Sequence, residues 1–361
     1  MFVVIGNPEN RRVALFQAAL AALGLPAARV IAWRTLVAPG AAAALDVGDA
    51  IVRIDSTGED ATVERALIRR GEAVARLTRA SVLSAAALAA IPDELGRILA
   101  PRQQHLGFLA VLAELEGALA GKRVIQPIAA IRELFDKSVA TPRWRALGIP
   151  VPESIEGVED PDQLREAMRA RGWPAVFVKL TSGSSASCLA VFDGASALTT
   201  VEDTGAARYN TRRLQRVTGA RLDRLLRFLL DEGSVVERAI DKAQLDGRHC
   251  DLRVLAIDGE PAFVVARTSP HPITNLHVGG AHGDVAALRG SLAPGAWDAA
   301  MASCVAVQRA TGAFHVGVDV MFETDRAHHR VLEGNAFGDL LPNLERDGLD
   351  VYGWQIRRYL R

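Results

Sequence analysis

Apolar positions in the first third of the chain predict a small α/β layer followed by helices. The opening pattern indicates two parallel strands joined through a helix, which is the βαβ unit of α/β proteins. Its predicted elements are a strand at 1–6, a helix from about Val13 to Leu23, and strands at Val30–Trp33 and Ala50–Ile54. The Ala-, Leu- and Arg-rich residues 60–119 predict helices punctuated at Pro92 and Pro101.

The apolar pattern changes near residue 121 and then alternates between helices and strands. Polar punctuation separates each element from the next, and Asp258-Gly259 is a hairpin turn signal. The predicted helices are Ala130–Leu147, 161–171, Arg221–Leu230 and Trp297–Thr311. The predicted strands are Ala175–Leu180, Cys188–Phe192, Ser234–Ile240, Leu252–Ile257, Ala262–Arg267, Val316–Phe322 and Arg330–Leu332. The polar segment Glu202–Gly219 is interpreted as a mobile lid, an acceptor site or a solvated surface loop.

Charge and composition exclude several functional classes. The 361 residues carry 42 Lys plus Arg and 42 Asp plus Glu. The chain therefore lacks the basic excess that is typical of a nucleic-acid binder. No apolar run approaches the roughly 20 residues that a membrane span requires, and the N-terminus lacks a secretion signal. The three cysteines are far apart, which predicts neither a disulfide framework nor a zinc site. We therefore expect no nucleic-acid or membrane partner, and a cytoplasmic location.

Lysine is rare in this chain. The only lysines are Lys122, Lys137, Lys179 and Lys242, so arginine fills 42 − 4 = 38 of the basic positions. The flat guanidinium fork of arginine cannot replace a compact ammonium group. Each lysine is therefore a candidate for a function that arginine cannot perform.

Three oxygen-bearing side chains near the C-terminus form a candidate Mg²⁺ site. Glu333 and Asn335 lie two residues apart after a predicted strand, so they would project to the same face. Asp319 interrupts another apolar strand, where a buried carboxylate needs a cation or several donors. Carboxylate and amide oxygens are the hard ligands that Mg²⁺ prefers. The alternative is an edge-strand hydrogen-bond network.

Two of the lysines have settings that suit phosphate binding. Lys179 ends a strand and precedes the small-residue loop Thr181–Ser187, whose backbone N–H groups can approach phosphate oxygens. Lys137 lies on a helix within Phe135-Asp136-Lys137. The alternatives are an ordinary hairpin tip for the loop and solvent exposure for both lysines.

These elements together resemble the ATP-grasp superfamily in their order and approximate spacing. The resemblance covers about residues 121–345. Asp251-Leu252-Arg253, Arg267 and the segment Thr274–Gly280 look like the branch that contains ribosomal-protein glutamyl ligases. The resemblance implies an α/β (α+β) fold of two lobes clasping a nucleotide, preceded by a small N-terminal α/β domain. The implied domains are residues 1–120, lobe 1 with a phosphate flap at 121–236, and lobe 2 with the metal site at 237–361.

The resemblance also implies roles for individual residues. It assigns nucleotide contacts to Lys137, Lys179, the flap residues Ser182, Gly183, Ser184 and Ser185, and the adenine-framing residues Glu237, Arg238 and Ile240. Asp241 and Gln244 are both candidates for the ribose ligand. Asp319, Glu333 and Asn335 would hold two Mg²⁺ ions, with Mn²⁺ as an alternative metal. Arg253, Arg267 and Asn275 would face the γ-phosphate.

The implied activity is an ATP-dependent carboxylate–amine ligase acting through an acyl phosphate. Its partners would be a small-molecule or peptide carboxylate and an amine acceptor. A small-molecule kinase and a non-catalytic ATP-binding module are the alternatives. Gly317 stands where the D-alanine ligase branch carries an arginine, so Arg267 would supply that charge. His271 or His277 contacting substrate is favoured over a metal site at His277 and His282, and Arg53 and Asp55 are weaker candidates for the cleft.

Overall fold

Three β-sheets organise the chain in the computed structural model, which describes residues 1–78, 81–183, 187–338, 341 and 343–361. The sheets draw on residues 2–54, 97–238 and 244–335 in turn, and a two-stranded sheet follows them. The α/β class predicted from the sequence is therefore confirmed. Among the described residues, no helix has the length and apolar content needed to cross a membrane.

The N-terminal sheet is the predicted βαβ layer. Its three parallel strands have the order β2-β1-β3. They are β1 (Phe2–Ile5), β2 (Arg29–Ile31) and β3 (Ile51–Ile54). Helix α1 (Arg11–Ala22) connects β1 to β2, and the Asn10 side chain caps it by accepting from the backbone N–H of Arg12.

Three helices follow this sheet, and two of them cross with their backbones in contact. They are α2 (Ala61–Ala75), α3 (Ala85–Ala90) and α4 (Pro101–Ala118). A Cβ added at Gly107 on α4 would lie 1.8 Å from the carbonyl oxygen of Leu67, and one added at Gly71 equally close to that of Gln103. Glycine at both positions is therefore what permits this close crossing.

The second sheet is seven-stranded, in the order β4-β9-β8-β7-β6-β10-β5. Its strands are β4 (Arg97–Ile98), β5 (Ser154–Ile155), β6 (Val176–Leu180), β7 (Leu189–Phe192), β8 (Ser196–Asp203), β9 (Arg208–Thr218) and β10 (Ser234–Arg238). Helices α7 (Pro161–Arg171) and α8 (Gly219–Asp231) contribute Leu164, Leu225 and Leu229 to its core.

The third sheet carries most of the candidate site. Strands β14 (Ala281–Gly283), β13 (Glu260–Ser269), β12 (Arg248–Ile257), β15 (His315–Phe322) and β16 (His329–Asn335) pair in that order, and β11 (Gln244–Leu245) pairs with β12. All of these pairings are antiparallel. Helices α9 (Val285–Gly290) and α10 (Ala296–Thr311) precede β15. The chain ends with β17 (Glu345–Arg346), β18 (Leu349–Asp350) and α11 (Val351–Tyr359).

The prediction of one helix over Ala130–Leu147 was wrong. The segment contains two helices, α5 (Ile128–Leu134) and α6 (Lys137–Ala146). The break lies at Asp136, whose side chain accepts a hydrogen bond from the backbone N–H of Ser138 and so caps α6. An Asp in an extended backbone conformation competes with helix continuation in this way. The break places Lys137 at the first position of α6.

The interpretation of Glu202–Gly219 as a loop was also wrong. Residues 208–218 form β9, the longest strand of its sheet, and β9 pairs with β8 from Ser196–Thr218 to Asp203–Arg208. Most β9 side chains are partly or fully exposed, so the strand carries no run of buried apolar positions. A half-exposed strand near a sheet edge is polar enough to look like a loop in the sequence.

The helix crossing gives a stability prediction with a control on the same helix. Replacing Gly107 with Ala forces α2 and α4 apart and should lower the free energy of unfolding by about 3 kcal/mol, the upper range for overpacking. Gly117 lies on α4 with no atom within 4 Å of an added Cβ. Gly117→Ala should raise stability by about 0.5–1 kcal/mol because it removes backbone entropy. Urea unfolding measures both, and equal values for the two variants would contradict the close crossing.

A second stability prediction concerns Glu232, at the end of α8. It is buried and accepts a hydrogen bond from the backbone N–H of Arg102, 2.8 Å away, at the start of α4. Burial raises its pKa to about 7. A raised folded-state pKa means that the neutral form stabilises the fold, and that this contribution is lost as pH rises from about 4.5 to 7. At pH 8 the loss approaches roughly 3 kcal/mol.

Glu232→Gln should therefore be more stable than the wild type at pH 8 and about equally stable near pH 4. Chemical unfolding at the two pH values measures the difference. Glu166→Gln, at an exposed position of α7, serves as the control and should show no such dependence. If the wild type and Glu232→Gln differ in free energy of unfolding by the same amount at both pH values, burial does not keep Glu232 neutral.

Candidate active site

A cleft lies where the second and third sheets face each other. From the second sheet and the residues after it come Phe177, Lys179, Leu189, Glu237, Arg238, Ile240 and Lys242. From the third sheet and its connections come Asp251, Arg267, Asn275, Asp319 and Glu333, with Thr274, Ile273 and Met321 among their neighbours. Eight of the residues predicted from the sequence therefore share one cleft: Lys179, Glu237, Arg238, Ile240, Arg267, Asn275, Asp319 and Glu333.

Strand register places the charged residues of the third sheet on one face. Arg253 pairs directly with Asp319, and Asp319 pairs with Glu333 on the next strand. Asp251 pairs with Arg267 in the same way. Directly paired residues of antiparallel strands share a face, as do residues two apart on one strand. Asp251 and Arg253 on β12 therefore lie on the same face of the sheet as the charged residues of β13, β15 and β16.

Asp319 is held by two arginines. Arg253 donates to its carboxylate through Nε and Nη2, and Nη2 of Arg267 lies 3.2 Å from its Oδ1. Burial alone would raise the pKa of Asp319, but the guanidinium groups of Arg253 and Arg267 outweigh it and lower that pKa. The carboxylate is therefore ionised at neutral pH and is shared between two cations.

Gly317 lies beside the Arg253 side chain and the backbone of Gly338. A Cβ built on Gly317 would lie 3.4 Å from Cδ of Arg253. The resemblance implies that Arg267 supplies the charge that Gly317 cannot carry. Arg253 and Arg267 both place their charge beside Asp319.

Glu333 and Asn335 lie beside Asp319 on β16. Asn335 donates its amide N–H to the carbonyl of Gly317, 3.0 Å away, which orients its Oδ1 away from that contact. Glu333 lies 3.2 Å from Nζ of Lys137. The intervening Gly334 faces the opposite side, where a Cβ would be 2.7 Å from Cδ2 of Leu134 and 3.0 Å from Cη2 of Trp144. This close packing brings the end of α5 and the last turn of α6 against β16.

Lys137 connects the third sheet to the small-residue loop. Besides its contact with Glu333, its Nζ donates to the carbonyl of Gly183 at 2.6 Å, and its backbone N–H donates to Thr181. The lysine is buried, contrary to the exposed alternative. Ser182 and Gly183 are half-buried beside it. The predicted flap residues Ser184 and Ser185 lie outside the described residues.

Lys179 and Glu237 pair on neighbouring strands of the second sheet. Nζ of Lys179 lies 2.5 Å from Oε2 of Glu237, and it lies 5.3 Å from the centre of the Phe177 ring. Glu237 is almost fully buried, whereas Arg238 is exposed and pairs with Glu153 at 3.0 Å. The apolar side chains of Phe177, Leu189 and Ile240 line the same part of the cleft.

Several predicted residues lie away from the cleft lining. Asp241 and Gln244 are both exposed, and the described lining includes neither, so the geometry does not choose between them as ribose ligand. His271, His277 and His282 are exposed. Arg53 and Asp55 are buried elsewhere, where the Arg53 guanidinium stacks between the rings of Phe16 and Tyr352 and donates to Gln355.

Three residues of the cleft were missed by the role assignments. Lys242, Asp251 and Thr274 are all buried and mutually hydrogen-bonded. Nζ of Lys242 lies 3.0 Å from Oδ2 of Asp251 and 2.9 Å from Oγ1 of Thr274. The rarity of lysine was the available signal for Lys242. Asp251 and Thr274 lie in segments that carry the family resemblance, but that resemblance implies no role for either residue.

The donor set suits a hard divalent cation. Two carboxylates and an amide oxygen occupy one sheet face within the register described above, which is the ligand chemistry of Mg²⁺. Among the described residues, no group of three or more His, Cys, Asp or Glu side chains is arranged so that it could hold a metal ion. The candidate site therefore consists of a carboxylate pair completed by the amide of Asn335.

Among the comparisons with known proteins, only the comparison with solved structures finds matches. No family model matches the sequence, and no curated protein matches it. The ATP-grasp ligase PsnB complexed with minimal precursor has 18% identity and a TM-score of 0.55, with 99% of this chain and 98% of that chain covered. The D-cycloserine synthetase DcsG has 15% identity and a TM-score of 0.58, with coverage of 100% and 99%.

The macrocyclase MdnC bound with precursor peptide MdnA from Microcystis aeruginosa MRC has 13% identity and a TM-score of 0.54. That match covers 100% of this chain and 99% of that chain. All three similarities cover at least 98% of both chains, including the N-terminal layer. The chain therefore has the ATP-grasp fold predicted from its sequence.

Proposed function

We propose that this protein is an ATP-dependent carboxylate–amine ligase that forms an amide through an acyl phosphate. The observation that carries the proposal is the convergence of Lys179, Arg267, Asp319 and Glu333 on one cleft of an ATP-grasp fold. Lys137 and Arg253, which are not among the lining residues, contact Glu333 and Asp319. A cleft in which cations and carboxylates lie side by side suits a polyphosphate together with a divalent metal.

The second sheet binds the nucleotide base in this proposal. Phe177, Leu189 and Ile240 provide apolar surface for a planar ring, and the Glu237 carboxylate lies beside them. Glu237 is paired with Lys179, so the acid and the ammonium group are fixed at the junction between base and phosphates. Arg238 extends towards solvent at the rim.

Lys179 and Lys137 both contact the phosphates in this proposal. Lys137 is held by the carbonyl of Gly183 and by Glu333, so its ammonium lies between the loop and the metal residues. A lysine acts as a compact charge towards phosphate oxygens. The loop that contains Ser182 and Gly183 would cover the reacting phosphate and exclude water.

Asp319, Glu333 and Asn335 would hold Mg²⁺, and bound Mg²⁺ would neutralise charge on the transferred phosphoryl group. Arg267 and Arg253 lie beside the same carboxylate and stabilise the charge that develops on the phosphoryl oxygens. A substrate carboxylate attacks the γ-phosphorus and ADP leaves. An amine then attacks the acyl carbon and releases phosphate.

Peptides are the substrate class that the structural comparisons favour. PsnB and MdnC are described with precursor peptides, whereas DcsG is a synthetase of a small molecule. Strand β9 of the long β8–β9 hairpin presents a polar, partly exposed surface that can accommodate a peptide chain. We therefore propose a peptide carboxylate or amine on at least one side of the reaction.

The activity can be tested with purified protein, ATP, Mg²⁺ and pools of amino acids, dipeptides and peptides. We expect ADP release that depends on an added carboxylate, together with a new amide detected by mass spectrometry. Hydroxylamine should trap the acyl phosphate as a hydroxamate. A stable phosphate ester without hydroxamate would identify a kinase instead, and ADP release that no carboxylate stimulates would contradict the ligase.

The metal assignment predicts the effect of Asp319→Asn. Because the variant removes a charged metal ligand, Mg²⁺-dependent ADP release should fall by about 100-fold or more. Asp325→Asn is the control, since Asp325 lies in the β15–β16 turn and pairs with His328 instead. Circular dichroism verifies that both variants fold. Unchanged ADP release in Asp319→Asn would overturn the assignment of Asp319 to the metal.

A further inference from the structure

Asp251 is a buried acid that the proposed reaction does not use directly. It is almost completely inaccessible to solvent, and a buried unpaired carboxylate would be strongly unfavourable. Its two oxygens have different partners. Oδ1 accepts from Nε of Arg267 at 2.8 Å, and Oδ2 accepts from Nζ of Lys242 at 3.0 Å and from the hydroxyl of Thr274.

The Arg267 guanidinium group has two edges with different partners: one edge is bound by Asp251, and the other faces Asp319. Its Nε edge meets Asp251, while Nη2 lies 3.2 Å from Oδ1 of Asp319. The guanidinium group is planar and rigid, so fixing one edge fixes the direction of the other. Asp251 is therefore placed to control where Arg267 directs its Nη groups.

Lys242 and Thr274 fix Asp251 in turn. Lys242 follows β10, Asp251 lies on β12, and Thr274 follows β13, so the contact joins three separate segments of the chain. The Thr274 hydroxyl donates to Asp251 and accepts from Lys242, which closes a triangle of hydrogen bonds. A fully engaged triangle leaves the carboxylate no alternative orientation.

We propose that Asp251, held by Lys242 and Thr274, is a positioning residue that clamps the Nε edge of Arg267 and aims its Nη groups at the transferred phosphoryl group. The inference rests on the proposed function for the identity of the group that Arg267 contacts. The clamp itself is a property of the free protein. It therefore has a direct readout that does not depend on turnover.

The direct readout is the Nε–H resonance of Arg267 in ¹⁵N NMR, assigned by its loss in Arg267→Lys. A hydrogen bond to a buried carboxylate should give a slowly exchanging proton in the wild type. Asp251→Asn should broaden or shift that resonance and accelerate its exchange by about tenfold or more. An unchanged Nε–H resonance in folded Asp251→Asn would overturn the inference, whatever the activity of the protein.

Kinetics test the consequence for the reaction. Asp251→Asn should lower kcat for ADP release by about 10–100-fold, the size expected for a misplaced reacting group, with KM for ATP changed less than about threefold. Asp223→Asn is the matched control, since Asp223 pairs with Arg165 far from the cleft. A rise in KM with unchanged kcat would show that Asp251 supports nucleotide binding instead and would overturn the inference.

A double-mutant cycle separates positioning from a merely structural role. If Asp251 acts through Arg267, the kcat losses of Asp251→Asn and Arg267→Lys should overlap strongly in the double variant. Additive losses would overturn the inference. Free guanidinium should partly restore Arg267→Ala but not Arg267→Ala with Asp251→Asn, because the added ion needs the carboxylate to hold it.

Thr274→Val and Lys242→Met keep the test informative if Asp251→Asn does not fold. Thr274→Val removes one hydrogen bond from the carboxylate without removing a charge, so a several-fold loss of kcat is expected. Lys122→Met is the control for Lys242→Met, since Lys122 is exposed and donates to the carbonyl of Gly48. Wild-type kcat and Nε–H exchange in both cleft variants would overturn the inference. Absence of ADP release from the wild type would refute the proposed function alone.

Discussion

The candidate site depends on the mutual neutralisation of buried charges on one sheet face. Lys242, Asp251, Arg267, Asp319 and Arg253 follow one another in contact, with alternating sign. Breaking a buried pair by removing one partner costs about 3–5 kcal/mol, because the remaining charge has no compensation. The row contains three cations and two carboxylates, so it carries one excess positive charge. An anionic ligand is the natural complement of that excess.

Strand register is what brings this row together. Side chains alternate between the two faces of a strand, so a slip of one residue in β12 would direct Asp251 and Arg253 into the apolar layer. That layer contains Leu252 and Val254, which are fully buried. The tight turn at Asp258-Gly259 joins β12 to β13, and both turn residues adopt positive φ angles of 48° and 80°. Local turn chemistry thus helps to set the alignment of charges that are far apart in sequence.

The sequence predicted the parts of this protein in which local pattern and tertiary role agree. The βαβ layer, the β12–β13 hairpin and the strands that carry Asp319 and Glu333 all show the expected alternation or turn signals. The break at Asp136 was missed because the apolar spacing continues through it and only the cap stops the helix. Strand β9 was missed because most of its side chains are partly exposed and polar, so it has no run of buried apolar positions. The role of Lys242 was missed because its partners Asp251 and Thr274 lie on other strands and loops, which no local pattern reveals.

Three cations at the candidate site are each paired with a different carboxylate, and these ion pairs affect how a phosphate would enter. Lys137 contacts Glu333, Lys179 contacts Glu237, and Arg253 contacts Asp319. A phosphate that approached without a metal would compete for these cations. It would therefore weaken the ion pairs that neutralise three carboxylates in a partly buried cleft. In the proposed function, Asp319 and Glu333 would receive new positive charge from a divalent metal that entered together with the phosphate. The charge balance of the cleft is therefore better suited to the proposed metal–nucleotide complex than to phosphate or metal alone.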